Sequence, residues 1–220
     1  MSTRYSWSEI PSIRGVPGIY AWYYMHELTK LDVDSIIERA SSLIEQGRRS
    51  DARDAIEDFL EHFVFRYFVE SPYQAIVRGP LKPTYQGQLH HSPSVSSALI
   101  ERLLNDPKRL RTIKNVLETS APDFASPIYI GMSENLGRRL MHHRKLIGKF
   151  RDTLSDVALP QDSELQSDQR DQSFARQIAE RRINPQRLFV MIRQIDADSN
   201  QSVDLENILN RIHHPLLGRN

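Results

Sequence analysis

The chain has 220 residues, of which 26% are charged, with 29 Lys and Arg against 28 Asp and Glu for a formal net charge of +1. This length suits one compound domain or a small domain with another inserted in it, and the near-neutral balance carries no global nucleic-acid signature. The absence of cysteine excludes disulfides, cysteine nucleophiles and cysteine-based zinc modules; with no signal peptide or long apolar run, a cytoplasmic location is expected.

In chain order, the first predicted element is a strand with a glycine entry, Gly15-Val16-Pro17-Gly18-Ile19-Tyr20, running into Ala21-Trp22-Tyr23-Tyr24. From Asp32 to about Gly47, residues Val33, Ile36, Ile37, Ala40, Leu43 and Ile44 recur at helical spacing. A second helix is predicted from Ser50, with apolar pairs every four residues from Ala55/Ile56 to Tyr67/Phe68, and Gln46-Gly47 breaks the two into an αα-hairpin. Acids outnumber bases on its outer faces, which reads as scaffolding or a protein contact surface.

Tyr73 to Val77 reads as a short strand, and Gly79 to Gly87 as an ordered, exposed loop punctuated by Pro and Gly. Two helices are predicted next, about Ser94 to Asn105 and Pro107 to Thr119, the second with Asp106 as cap. It carries Lys108, Arg109, Arg111 and Lys114, read either as a solvated basic face or as a surface for a phosphate backbone.

Pro127-Ile128-Tyr129-Ile130 predicts a short buried strand, Gly131 a close turn, and Ser133-Glu134-Asn135-Leu136 a helix start with Ser133 as cap. In that helix Leu136, Leu140 and Ile147 mark an apolar stripe, and Arg139 and His143, four apart, share its border. A guanidinium matches phosphate bidentately and an imidazole can move or orient a proton, so the pair suits phosphate chemistry. From Ser126 to Phe150 the cations Arg138, Arg139, Arg144, Lys145 and Lys149 face Glu134 alone, a local field that draws anions.

Lys149 to Gln172 is a long polar stretch, Phe174 to Arg182 a predicted helix, Arg187 to Ile192 a predicted strand, and a final helix carries Glu206. The paired histidines at 90/91, 142/143 and 213/214 point apart on one element and match no metal-ligand spacing, so no dedicated zinc site is expected.

Taken together, Gly18 to Tyr20, Tyr129 to His143 and Glu206 to Asn220 resemble the GIY-YIG nuclease superfamily in order and local spacing. The resemblance implies an α/β fold: a small core with a three-stranded sheet flanked by helices, interrupted by a mainly helical insertion. Residues 1–24 and 126–220 would form the split catalytic domain, and 25–125 the insertion, because Tyr20 and Tyr129 lie 109 positions apart where compact members have a hairpin.

By the same resemblance, Tyr20 would sit beside the nucleophilic water as base or orienting group, assisted by His143. Tyr129 would position the scissile phosphate or a metal-bound water, and Arg139 would bind the phosphate. Glu206 would hold one Mg²⁺ or Mn²⁺, and Asn220 would brace the site. A tyrosine is a weak base at its usual pKa of about 10, so that role needs a neighbouring cation or metal.

The implied function is metal-dependent hydrolysis of DNA phosphodiester bonds, in restriction or phage defence. The alternatives are a structure-specific repair or recombination nuclease, or a non-catalytic nucleic-acid-binding regulator that keeps the fold. The zinc-bearing branch of the superfamily is disfavoured by the missing cysteines, and no separate C-terminal DNA-binding domain is expected. DNA contacts are then expected from the Lys82 to His91 segment and Lys108, Arg109, Arg111 and Lys114, with Arg138, Arg144 and Lys145 beside the site. A homodimer or a protein partner through the helical insertion is also expected, and no membrane. The 149–172 stretch would fold over DNA or stay disordered.

Overall fold

In a computed structural model, residues 2–26, 28–70, 72–80, 82–91, 93–153, 166–195 and 199–217 are described. The chain is mixed α/β and divides into two compact units, residues 1–25 with 118–220, and residues 26–117.

The first unit is built on an antiparallel sheet. Its strands are β1 (Thr3–Ser6), β2 (Gly18–Tyr24), β5 (Tyr129–Ser133) and β6 (Leu188–Gln194), in the order β1-β6-β2-β5. The expected three-stranded sheet therefore has a fourth strand. Thr3 to Ser6 pair along β6 in register Thr3↔Ile192 to Ser6↔Phe189, covering backbone groups that an edge strand would otherwise leave open. The burial of β2 alternates strictly, so Gly18, Tyr20, Trp22 and Tyr24 share the inward face.

Two helices, α5 (Leu136–Thr153) and α6 (Gln166–Glu180), pack against each other, and α7 (Ser199–His213) packs near β5. The cap of α5 is Asn135, not Ser133. Its Oδ1 accepts from the Arg138 N–H at 2.9 Å, while Ser133 is still paired in β5 and uses its Oγ to accept from the Asn135 N–H. The first turn of α5 is further held where the N–H groups of Leu136 and Gly137 donate to the carbonyls of Val16 and Arg14. Helix α6 begins at Gln166, so the predicted polar stretch from 149 to 172 is helical at both ends; its middle, 154–165, lies outside the described residues.

The second unit has its own core. Helix α1 (Lys30–Glu45) starts at a Thr29/Asp32 capping box and ends at Gly47, whose φ of 73° permits the N–H of Gly47 to reach Ile44 O and that of Arg48 to reach Leu43 O. Helix α2 (Arg49–Leu60) stops short of the predicted run: Glu61–Phe65 widens into a π turn and Arg66–Phe68 tightens into a 3₁₀ turn. With α3 (Ser97–Asn105) and the start of α4 (Arg109–Phe124), these helices bury Val33, Ile36, Ile56, Phe59, Ile100, Leu103 and Leu110. Helix α4 begins two residues later than predicted, after a turn at Pro107 and Lys108.

The predicted exposed loop from Gly79 to Gly87 is instead half of a hairpin, β3 (Tyr73–Gly79) and β4 (Lys82–Leu89). Pro80 lies in the turn, Gly79 and Lys82 pair across it, and β4 runs antiparallel to β3 with one irregularity between Val77 and Gly79.

Candidate functional site

Four predicted site residues meet in the first unit. Tyr20 comes from the centre of β2, Tyr129 from the start of β5, and Arg139 and His143 from successive turns of α5. The Tyr20 and Tyr129 rings stack with centroids 6.2 Å apart. The Arg139 Nε–H donates to the Tyr20 hydroxyl at 3.3 Å, and His143 Nε2 lies 3.3 Å from the same oxygen.

Gly131 is what lets this happen. It lies in mid-strand opposite Tyr20, not in the predicted turn, and a Cβ there would stand 2.5 Å from the Tyr20 hydroxyl oxygen. Only a residue without a side chain leaves room for the phenol to cross β5.

His143 is fully buried, a correction to its predicted place on the border of the apolar stripe: with Leu136, Leu140 and Ile147 it forms the stripe itself. A buried imidazole needs partners for both nitrogens. Trp22 Nε1 donates to His143 Nδ1 at 3.1 Å. Indole nitrogen only donates, so Nδ1 accepts and the ring proton resides on Nε2. Nε2 faces the Asp171 carboxylate at 2.9 Å as well as Tyr20. Burial lowers the His143 pKa, against the opposing pull of Asp171, and the ring is neutral.

Asp171 was invisible to the sequence reading, which placed it in the polar stretch. It sits on α6, fully buried, with Arg139 Nη2 at 2.8 Å and His143 Nε2 at 2.9 Å from its Oδ1. Its signal was positional: Asp171 precedes Phe174, Ala175 and Ile178 by three, four and seven residues, the spacing of one helix face, and all three are fully buried. Phe174 closes the same side, its ring 4.5 Å from Tyr129 and 5.3 Å from His143. The site is thus an ionic and aromatic cluster inside the layer between sheet and helices. Arg139, at 24% side-chain exposure, forms its open edge, while the side chains of His143 and Asp171 are wholly covered.

Burial also controls the phenols. Tyr20 is pushed well above its ordinary pKa by burial and then by Tyr129, which together outweigh the opposing Arg139 cation. Tyr129 is pushed up to about 12 by burial, then by the Asp171 charge, with Glu206 adding to the shift and Arg139 and a hydrogen bond with Tyr20 opposing it. Both phenols therefore keep their protons at neutral pH.

Glu206 lies in the middle of α7, half-buried, on the helix that packs near β5, and its charge adds to the upward shift of Tyr129. Among the described residues no group of three or more His, Cys, Asp or Glu is placed to hold a metal ion. Asn220 lies outside the described residues. The chain that leads to it is anchored, since the Leu217 N–H donates to Ile128 O at 2.7 Å, one residue before Tyr129.

The predicted DNA contacts separate into different settings. Arg138 and Lys145 are exposed on α5, whereas Arg144 lies over the Trp7 ring at 5.6 Å. On α4, Arg111 pairs with Asp34 of α1 at 2.8 Å and Arg109 lies 3.6 Å from Asp106, so two cations of that basic face are used within the second unit. Lys114 also has an electrostatic or hydrogen-bonding partner. Lys108 precedes α4 in its turn, and Lys82 opens β4.

No family model matches the chain, and no curated protein or solved structure matches it.

Proposed function

We propose that this chain is a metal-dependent DNA endonuclease of the GIY-YIG type. The observation that carries the reading is the convergence of Tyr20, Tyr129, Arg139 and His143, from two adjacent strands and one helix, on a single phenol oxygen and its neighbours. Core packing alone explains the aromatics but gives no reason to hold a guanidinium among them.

Arg139 is braced on its inner side, Nε on Tyr20 and Nη2 on Asp171, and its partly exposed fork would take a phosphate oxygen and stabilise the charge of the transition state. Tyr20 keeps its proton, so it serves as a donor that orients the attacking water or the phosphate and not as a ready base. His143, with its proton on Nε2, holds the Tyr20 oxygen in place. Tyr129 would position the scissile group from the neighbouring strand.

Glu206 fits a divalent ion that needs few protein ligands: it is one half-buried carboxylate on the helix that packs near β5, and Mg²⁺ or Mn²⁺ retains most of its waters on such a site. When bound, the ion would neutralise developing charge and polarise water. The 26–117 unit would supply substrate choice, as expected of a restriction or phage-defence enzyme.

A second reading has its own observation. Tyr20 is wholly covered, with Asp171 and Phe174 of α6 packed around its partners, which favours a nucleic-acid-binding protein that keeps the arrangement without turnover. Incubation with duplex, branched and single-stranded DNA, with Mg²⁺ or chelator, separates the two. The nuclease reading expects Mg²⁺-dependent cleavage that falls roughly 10²- to 10³-fold in Arg139→Lys, which keeps the charge but loses the fork, and is lost in Glu206→Gln. Binding without cleavage on every substrate would establish the second reading instead, and cleavage indifferent to both substitutions would remove the site from the chemistry.

A further inference from the structure

The β3–β4 hairpin stands apart from the economy of the rest of the second unit. It pairs with no other strand among the described residues, and apart from Ala75 and Gly79 its described side chains are exposed. A lone two-stranded ribbon is marginal in water, and one that leaves nearly every side chain outside is shaped for something other than the core.

Cross-strand partners share a face and alternate along the strand. The pairs Tyr73↔Leu89, Ala75↔Gly87 and Val77↔Tyr85 therefore form one face, which is apolar. The pairs Gln74↔Gln88 and Ile76↔Gln86 form the other, which is rich in amides. Between Val77↔Tyr85 and Gly79↔Lys82 the register slips, with Pro83 and Thr84 opposite Arg78 alone. The extra residue is in β4, so β3 keeps its alternation and Arg78 joins Gln74 and Ile76 on the amide face.

Charge selects the occupant of that face. From Tyr73 to His91 there is no Asp or Glu, whereas residues 32–70 carry ten acids against five Lys and Arg. The ribbon thus lacks the like-charge repulsion that residues 32–70 present to a polyanion. The major groove of B-DNA, about 12 Å wide, admits a two-stranded ribbon, and glutamine pairs bidentately with the N6 and N7 edge of adenine. Gln86 and Gln88, two residues apart on an extended strand, are separated by about 6.8 Å, which matches bases two steps apart at 3.4 Å each.

We propose that the β3–β4 ribbon enters the DNA major groove and reads adenine through Gln74, Gln86 and Gln88, with Arg78 at its end contacting guanine or phosphate. The inference deepens the nuclease reading and rests on it for the identity of the substrate. The side chains involved are exposed, so their removal leaves the core of the unit untouched.

The test is selection of bound duplexes from a random pool by the full-length chain in chelator, where no cleavage is needed, followed by sequencing. The wild type is expected to enrich a site containing adenine. Gln74→Ala, Gln86→Ala and Gln88→Ala should each lose discrimination at one position by roughly 5- to 150-fold, the range of a bidentate contact, with unchanged affinity for random DNA. Substituting 7-deazaadenine at that position should mimic the loss in the wild type.

Wild-type selectivity retained in all three variants overturns the proposal, as does a change in oligomeric mass without a change in selectivity, which would make the ribbon a protein interface. Cleavage is scored separately with Mg²⁺. Glutamine-dependent selection without cleavage removes the nuclease reading and keeps the ribbon, and cleavage at the same sites by wild type and all three variants does the reverse.

Discussion

Trp22 donates its indole N–H to His143 Nδ1 at 3.1 Å, and that one bond decides which imidazole nitrogen carries the proton. Because indole cannot accept, the imidazole presents Nε2–H towards Asp171 and Tyr20. Nitrogen NMR of the histidine rings should find His143 as the neutral Nε2–H tautomer at pH 7. Trp22→Phe retains most of the buried ring area but strands Nδ1, so a loss of about 1–3 kcal/mol in urea denaturation is expected, together with a mixed tautomer. An Nδ1–H form in the wild type would contradict the assignment.

The depressed His143 pKa carries a stability consequence. In the unfolded chain a histidine titrates near 6.5, while in the folded chain burial holds His143 below that value. Between the two, the unfolded state binds more protons. Stability is therefore full above about pH 6.5 and falls as pH drops towards the folded pKa, by at most about 1.4 kcal/mol per pH unit for one proton. His26, also lowered by burial, adds a contribution of the same sign. Melting curves from pH 8 to 5 should show the fall, and His143→Gln should flatten it by one proton's share; an identical slope in that variant would place the linkage elsewhere.

The Arg139–Asp171 pair couples α5 to α6 across the cluster. Arg139→Ala leaves a fully buried carboxylate facing His143 at 2.9 Å and His142 at 3.9 Å without its guanidinium, which in general costs about 3–5 kcal/mol, and the partial exposure of Arg139 puts this case near the lower end. Arg139→Met with Asp171→Leu removes both charges and should recover most of that loss. A double-mutant cycle in urea measures the coupling, and strict additivity of the two changes would show that the pair does not act as a unit.

Gly131→Ala places a methyl group on the Tyr20 hydroxyl, and overpacking of this kind costs about 1–3 kcal/mol. Tyr20→Phe removes the oxygen that the methyl would strike first, although the ring carbon behind it is 2.6 Å from the same position. The combined variant should thus lose less stability than the two single losses added together. Any DNA cleavage should fall in Gly131→Ala while the melting transition stays cooperative, since the phenol is displaced and the sheet is not broken.

Much of this architecture was legible because it is written in local patterns. The tyrosine-rich strand and the Leu136-Leu140-Ile147 stripe follow directly from period-2 and period-3.6 spacing, the continuous apolar run Leu188 to Ile192 marks a buried strand, and Tyr20, Tyr129, Arg139 and His143 could be singled out from motifs a few residues long. The hairpin was half missed because Pro83 and Gly87 read as loop residues, while a bulge lets Pro83 stand in an edge strand.

The sequence alone determined that Tyr20, Tyr129, Arg139 and His143 belong together and come from two strands and a helix. Only the tertiary structure decided how they are disposed: that Thr3 to Ser6 add a fourth strand, that Asp171 faces Arg139 and His143, and that Trp22 sets the imidazole proton. Burial and hydrogen-bond partners are properties of packing between segments that are far apart in the chain, as Trp22 and His143 are at 121 positions. Local periodicity assigns a residue to a face, but the partner that turns a polar stretch into the wall of a site arrives on another helix.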